Sequence, residues 1–273
     1  MIEILMSTFN GGKYLRPQLD SILGQSFGEF CLIIRDDGSS DDTAEILQEY
    51  AARDERIRLF KDSRGNLGVR QSYMCLLESS IAEYFMLSDQ DDVWLPEKIS
   101  KSLAAVQKLE AEHRADLPIL VFTDLMVADE NVDIISPSLW QYQKLDPNIS
   151  RNWRSLLAQN VVTGSTIMGN RAAAKAAIPF ALPNMMHDHW IAVNSAKMGQ
   201  IAFLAQPSVI YRQHAGNYEG GRRFAPRYAL KKLPSIFTKV SNFKRSARHF
   251  GNVSASGIFA RKVLLNLRRL FAR

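Results

Sequence analysis

The chain has 273 residues, of which 46% are hydrophobic and 23% charged; this is enough apolar surface for a packed core and excludes disordered, collagen-like and disulfide-scaffold classes. The net charge of +6 suggests a nucleic-acid partner, but the charge is unevenly placed. Of the 34 Lys and Arg, 14 fall within residues 220–273, which hold no Asp or Glu, while residues 1–219 keep 20 against all 28 acidic residues. An acidic body carries a basic tail, and the function has to account for both.

A strand-like run over Ile2–Ser7 opens the chain without a basic, apolar leader pattern, so no secretory signal is expected. No window reaches the ~18 apolar residues of a membrane span. Further strands are expected at Phe30–Arg35, Ile57–Lys61, Tyr84–Ser88 and Ile119–Thr123, alternating with helices at Tyr14–Gln25, Thr43–Ala52, Val69–Ser79 and Pro96–His113. Ser40-Asp41-Asp42-Thr43 offers N-cap chemistry to the second helix, and Pro96 suits a first helical turn. This alternation predicts βαβ units and a parallel sheet, with ligands bound beyond the carboxyl ends of the strands. From about Asp124 to Tyr218 the pattern is less regular. Strands are expected at Asn131–Ile135, Ser165–Met168, Ile201–Leu204 and Ser208–Arg212, and helices at Trp153–Gln159 and Asp188–Met198. Cys31 and Cys75 read as reduced core thiols.

Polar residues gather at the strand ends. Asp89-Gln90-Asp91-Asp92 sets three carboxylates within four residues. Close carboxylates repel, and a hard divalent cation bridging a diphosphate would relieve them; a solvated acidic turn is the plainer alternative. Asp36-Asp37-Gly38-Ser39 can accept hydrogen bonds from a ribose or a base, or be only a polar turn. No G-x-G-x-x-G follows the first strand and no G-x-x-x-x-G-K-[ST] occurs, which disfavours a dinucleotide fold and removes P-loop chemistry. In His187-Asp188-His189-Trp190 the aspartate is either an N-cap or a general base, and the spacing is not that of a zinc site. His214, after Tyr211-Arg212-Gln213, is a metal or phosphate contact or an ordinary loop histidine.

Ser7-Thr8-Phe9-Asn10-Gly11, Arg35-Asp36-Asp37-Gly38-Ser39, Asn66-Leu67-Gly68, Asp89-Gln90-Asp91-Asp92 and Asp188-His189-Trp190 occur in this order. Over residues 1–218 the chain thereby resembles the family-2 glycosyltransferases, which are inverting, nucleotide-sugar-dependent enzymes. Tyr211-Arg212-Gln213-His214 is most similar to the bacterial rhamnosyltransferase-like members that build surface polysaccharides. The resemblance implies an α/β GT-A fold, a Rossmann-like, mostly parallel sheet flanked by helices, with residues 219–273 as a basic helical appendage. It implies that Ser7, Asn10, Asp37, Asn66 and Asp89 hold the donor. Asp89, Asp91 and His214 would hold Mg²⁺ or Mn²⁺, and Asp188 would be the general base. Trp94, Gly164, Ser165 and Thr166 would lie on the acceptor side. Arg70-Gln71-Ser72 departs from the family, whose members often carry a basic residue and then Asn after Asn-Leu-Gly. The implied function is transfer of a sugar from a nucleotide-diphosphate donor to a saccharide or lipid-linked saccharide. A sugar-phosphate nucleotidyltransferase would want a Gly-rich basic loop after the first strand, which is missing. A catalytically inactive nucleotide-sugar-binding scaffold would not need Asp37, Asp89, Asp91 and Asp188 together.

Within 257–273, Arg261, Lys262, Arg268, Arg269 and Arg273 fall within about 140° of one helical face at ~100° per residue. Phe259, Val263, Leu264, Leu267, Leu270 and Phe271 cover much of the other. Upstream, Arg222, Arg223, Arg227, Lys231, Lys232, Lys244, Arg245 and Arg248 are interleaved with Phe224, Tyr228, Phe237 and Phe243. A basic amphipathic helix reads as a segment lying on anionic lipid, with packing on protein as the alternative. The expected setting is the cytoplasm, peripheral at the inner face of the membrane, with no nucleic-acid partner.

Overall fold

The structure, a computed structural model, describes residues 1–114, 116–217 and 236–271, with side chains at 1–114, 116–217 and 241–270. The 218/219 domain boundary, Arg222, Arg223, Phe224, Arg227, Tyr228, Lys231, Lys232 and Arg273 lie outside the described residues, as do the side chains of Phe237 and Phe271.

The strands are β1 Ile2–Thr8, β2 Phe30–Asp36, β3 Ile57–Leu59, β4 Tyr84–Ser88, β5 Val93–Trp94, β6 Ile119–Ala128, β7 Ile134–Ser136, β8 Met168–Asn170 and β9 Gln200–Arg212. The helices are α1 Gly12–Leu23, α2 Thr43–Arg53, α3 Gly68–Ser79, α4 Lys98–Glu112, α5 Leu139–Tyr142, α6 Trp153–Ala158, α7 Arg171–Ala176, α8 His187–Met198, α9 Ile236–Phe250 and α10 Ala255–Phe271. One sheet runs β3-β2-β1-β4-β8-β6-β9-β5, with β7 paired to β6. β3, β2, β1, β4, β6 and β9 share one direction, whereas β8 is antiparallel between β4 and β6. The strands alternate between two buried faces: Leu5 packs with Leu87, Phe122 and Trp190 on one side, and Ile4 and Met6 with Leu15, Leu19 and Leu32 on the other. Burial on both faces explains why the central strands read as unbroken apolar runs. Both cysteines are buried and free.

In the first 125 residues the expected elements fall within a few residues of the observed ones. Pro96 stands two residues before α4 rather than in its first turn. Asp42 is the N-cap residue of α2 and makes no side-chain cap bond; Asp41 before it accepts the Thr43 N–H through Oδ1 at 3.1 Å and the Gly12 N–H through Oδ2 at 3.0 Å. Beyond 125 three readings change. Gly164–Thr166 is a 3₁₀ turn, because Thr166 bonds back to the Thr163 carbonyl through its N–H at 2.9 Å and its hydroxyl at 2.7 Å; the strand begins at Met168. Asn131 and Asp133 form a turn, both amides donating to Asp129, which delays the strand to Ile134. The two short strands after Ile201 are one, β9, with irregularities opposite Thr123–Met126.

α9 and α10 pack on the body through Phe250, Ile258 and Leu265. Arg261 donates to Ser155 Oγ at 2.9 Å, and Arg269 donates to the Gln143 carbonyl. Arg261 and Arg269 therefore face the protein together with Ile258 and Leu265, whereas Arg268 is exposed and Phe259, Val263, Leu264, Leu267 and Leu270 face outward. Among the described residues no helix is long and apolar enough to cross a membrane.

Candidate active site

Sheet order places β2 and β4 on opposite sides of β1, so their carboxyl ends diverge and leave a crevice. A cleft of about 540 Å³ opens there. Ser7, Asp37, Asn66, Asp89, Asp91, Gly164 and Asp188 line it, which brings together residues far apart in the chain.

The first loop is stitched to its neighbours. The Gln90 side chain accepts the Phe9 N–H at 2.8 Å and donates to the Phe9 carbonyl at 3.1 Å. A Cβ at Gly11 would lie 2.4 Å from Gln90 Oε1, and one at Gly12 would lie 1.7 Å from Asp42 Oδ1. A side chain at either position would therefore displace Gln90 or Asp42 from its place against this loop. Asn10 sits at φ +48°, accepts the Ser40 N–H at 2.8 Å and lies exposed beside the cleft rather than on its wall. Ser7 donates to Ser72 Oγ at 2.7 Å.

Asp37 is buried. Its carboxylate accepts the Leu67 N–H at 2.8 Å and the Gly68 N–H at 2.7 Å, at the start of α3, and also takes Arg35. Arg35 in turn donates to Asp62 at 2.8 Å and to the Gly65 carbonyl at 2.7 Å. The hydrogen bond from Arg35 holds the Asp62 carboxyl well below the usual range. Asp37 thus shapes the cleft floor by fixing the Asn66-Leu67-Gly68 turn.

On the opposite wall Tyr73, buried, donates its hydroxyl to the Ser88 carbonyl at 2.6 Å and to Asp89 at 2.8 Å. Burial and the charge of Asp91 push Asp89 up to about 6. Asp92 is fully buried and is also raised, by burial first and then by the charges of Asp91 and Asp89. Asp91 Oδ2 accepts from His214 Nε2 at 2.8 Å and from Asn217 Nδ2 at 3.3 Å. Arg212 donates to the Asp91 carbonyl at 2.9 Å and to the Glu130 carbonyl at 2.6 Å, which anchors the acidic loop to the body. Among the described residues no three His, Cys, Asp or Glu side chains form a metal cage by themselves. The donors nevertheless fit a hard cation: two carboxylates line one wall, one of them hydrogen-bonded to a histidine, and the charge of Asp91 bears on Asp89. Mg²⁺ and its like are held by one or two carboxylates plus substrate phosphates.

Asp188 stands in the first turn of α8, its Oδ1 on the His189 N–H at 2.5 Å. A Cβ at Gly164 would stand 3.2 Å from His187 Nε2 and 3.5 Å from the Asp188 Cβ, so glycine there lets this turn lie close against the start of α8. His187 stacks on Tyr73 with ring centroids 4.2 Å apart. His189 turns the other way, to the Leu156 carbonyl at 2.8 Å, so the two histidines do not converge on a zinc. Ser165 and Thr166 are buried behind Gly164. Trp94, expected on the acceptor side, stands in the core beneath Lys98, because β5 pairs with β9 and turns its ring inward. Tyr73, Gln90, Arg212 and Asn217 are site residues that the motifs alone did not single out as such.

Residues 3–122 match the family model described as Glycosyl transferase family 2. An uncharacterized protein of Mycobacterium tuberculosis (strain ATCC 25618 / H37Rv) is 29% identical over 220 residues, 78% of this chain and 59% of that protein. The chain thus spans about three fifths of that relative's length. An uncharacterized glycosyltransferase of Rickettsia prowazekii is 30% identical over 110 residues, 40% of this chain and 33% of its own. Among solved structures, S. aureus TarS 1-349 in complex with UDP-GlcNAc aligns with a TM-score of 0.62 at 14% identity, over 99% of this chain and 72% of that one. The mannosyltransferase PcManGT from Pyrobaculum calidifontis, in complex with GDP-Man and Mn²⁺, aligns with a TM-score of 0.63 at 16% identity, over 99% and 71%. The fold is the GT-A fold of these structures, and the resemblance to glycosyltransferase family 2 lies in residues 3–122.

Proposed function

We propose that the chain transfers a sugar, with inversion, from a nucleoside-diphosphate donor to the hydroxyl of a saccharide acceptor. The observation that carries this reading is the meeting of Asp89, Asp91 and Asp188 on the walls of one cleft beyond the carboxyl ends of β1, β2 and β4. Single displacement needs a stabilised leaving group and one base on the opposite face, with no second carboxylate nucleophile. Ser7, Asn66 and the turn fixed by Asp37 would hold the nucleotide, with Asn10 closing the loop beside it. Asp91 and Asp89 would hold a divalent cation, which supplies charge stabilisation at the departing diphosphate, with His214 holding the Asp91 carboxylate in place. Asp188 would take the proton of the acceptor hydroxyl as its oxygen bonds to the anomeric carbon and the bond to phosphate breaks. Gly164, with Ser165 and Thr166 behind it, leaves room for that acceptor. The Tyr211-Arg212-Gln213-His214 segment favours a rhamnosyltransferase-like enzyme of surface polysaccharide synthesis.

The tail supports a location at an anionic membrane surface, where a lipid-linked acceptor would be met. α10 leaves a stripe of five large apolar side chains in solvent with Arg268 beside them, which an ordinary surface helix would bury. Titrating UDP- and GDP-sugars with and without Mn²⁺, followed by thermal stabilisation and donor turnover, tests the reading. Stabilisation by one nucleotide sugar that grows with Mn²⁺ is expected; a flat response across the panel would overturn it.

A further inference from the structure

The wall that carries Asp89 and the wall that carries Asp188 are joined through α3. Asp37 fixes the start of this helix by accepting the Leu67 and Gly68 N–H groups at 2.8 and 2.7 Å. Ser72, within it, accepts the Ser7 hydroxyl at 2.7 Å, which ties α3 to β1. The next residue, Tyr73, reaches both walls. Its hydroxyl meets Asp89 at 2.8 Å and the Ser88 carbonyl at 2.6 Å. Its ring carries the imidazole of His187, with centroids 4.2 Å apart and planes 20° from parallel. Asp188 follows His187 in the first turn of α8.

His187 is held by contact rather than by hydrogen bonds. The residue is buried, and its Nδ1 has no hydrogen-bond partner among the described residues. A buried polar atom without a partner lowers stability, so the flat shape of this ring, not its Nδ1, is what the site uses. The Gly164 turn lies against Nε2 of the same ring and against the Asp188 Cβ. A side chain of another shape in this packed space would shift the start of α8 relative to α3. We propose that His187 is a positioning residue whose ring, stacked on Tyr73, sets the separation between Asp188 and the wall of Asp89. That separation governs the line along which an acceptor hydroxyl meets the anomeric carbon, opposite the departing diphosphate. A misplacement of about 1 Å in such a geometry costs about a hundredfold in rate. This role rests on the glycosyl-transfer reading.

The test compares His187→Leu, which fills the space without a flat ring, with His187→Phe, which keeps the ring and drops both nitrogens. Turnover of the nucleotide sugar, nucleotide binding with Mn²⁺ and the melting temperature are measured for each. His187→Leu is expected to lower kcat about ten- to a hundredfold while nucleotide affinity changes less than about twofold. His187→Phe is expected to recover most of that loss. Parent-like kcat in His187→Leu would overturn the proposal. So would a His187→Phe variant as slow as His187→Leu, which would give an imidazole nitrogen the role instead. Should His187→Leu not fold, Tyr73→Leu is compared with Tyr73→Phe. Both lose the hydroxyl to Asp89, but only Tyr73→Leu loses the stack. A lower kcat in Tyr73→Leu is expected, and equal values would overturn the proposal. A parent that turns over no nucleotide sugar would sink the transfer reading and this role with it, whereas the variant outcomes leave that reading intact.

Discussion

His214 donates through Nε2 to Asp91 Oδ2 at 2.8 Å while its Nδ1 accepts the Gly216 N–H at 3.1 Å. The second contact fixes the tautomer, because a ring nitrogen that accepts an N–H leaves the proton on the other. One ring therefore ties the Asp91 carboxylate to the Gly216 backbone. His214→Ala is expected to weaken Mn²⁺-dependent nucleotide binding about ten- to a hundredfold, the usual cost of losing a group that orients a metal ligand. A parent-like Mn²⁺ titration in the variant would remove His214 from the site.

Asp188→Asn keeps the size of the side chain and removes its basicity. Turnover is expected to fall by about two to four orders of magnitude, with donor affinity changed less than about twofold. Substantial turnover in the variant would assign the base elsewhere on the cleft wall.

The Arg35–Asp37 pair is buried and tied to the start of α3. Arg35 keeps Asp62 and the Gly65 carbonyl, but removing Asp37 leaves the Leu67 and Gly68 N–H groups without their acceptor, which costs roughly 1–3 kcal/mol. Asp37→Ala should therefore lower the urea midpoint substantially as well as weaken donor binding. A variant with an unchanged midpoint and lost donor binding would instead give Asp37 direct contact with the nucleotide as its main role.

His187 is buried under Tyr73, and burial pulls it down to about 3. A histidine near 6.5 in the unfolded chain takes a proton there before the folded one does, so folding weakens as pH falls from 6.5 toward 3. Within that window its contribution approaches about 1.4 kcal/mol per pH unit. Urea denaturation at a series of pH values between about 4.5 and 6.5 should show this slope in the parent and a flatter one in His187→Phe. Equal slopes would mean that His187 is solvated in its charged form.

The outward stripe of α10 gives the membrane reading a direct check. Leu264→Glu/Leu267→Glu changes two exposed residues and should leave the melting temperature within about 2 °C. Co-sedimentation with anionic vesicles should fall at least about tenfold, since each buried Leu contributes roughly 2 kcal/mol. Arg268→Gln should matter less. If Arg268→Gln abolishes binding and the Glu pair does not, attraction is electrostatic and the stripe serves another partner.

The first 125 residues were legible because strand and helix periods alternate there and the loops after the strands carry the acidic and glycine motifs. Tyr73, Arg212 and Asn217 were not legible as site residues, because each reaches the acidic loop from a distant element through contacts that leave no local spacing. Trp94 misled for the opposite reason: it neighbours the motif in sequence, but the pairing of β5 with β9 turns it inward. The orientation of α10 was half legible. Its two faces follow from the period, whereas which one meets the body depends on Ser155 and Gln143 offering acceptors to Arg261 and Arg269.

β8 separates β4 from β6 in the sheet, although it follows both in the chain. A nascent chain that has reached residue 122, where the family match ends, holds two strand edges with a vacant lane between them. That lane fills only when Met168–Asn170 emerges, so the matched segment is not a unit of folding. Cutting the gene at the edge of the match should give an insoluble fragment whose open edges pair with one another, while a cut after β9 leaves the sheet complete.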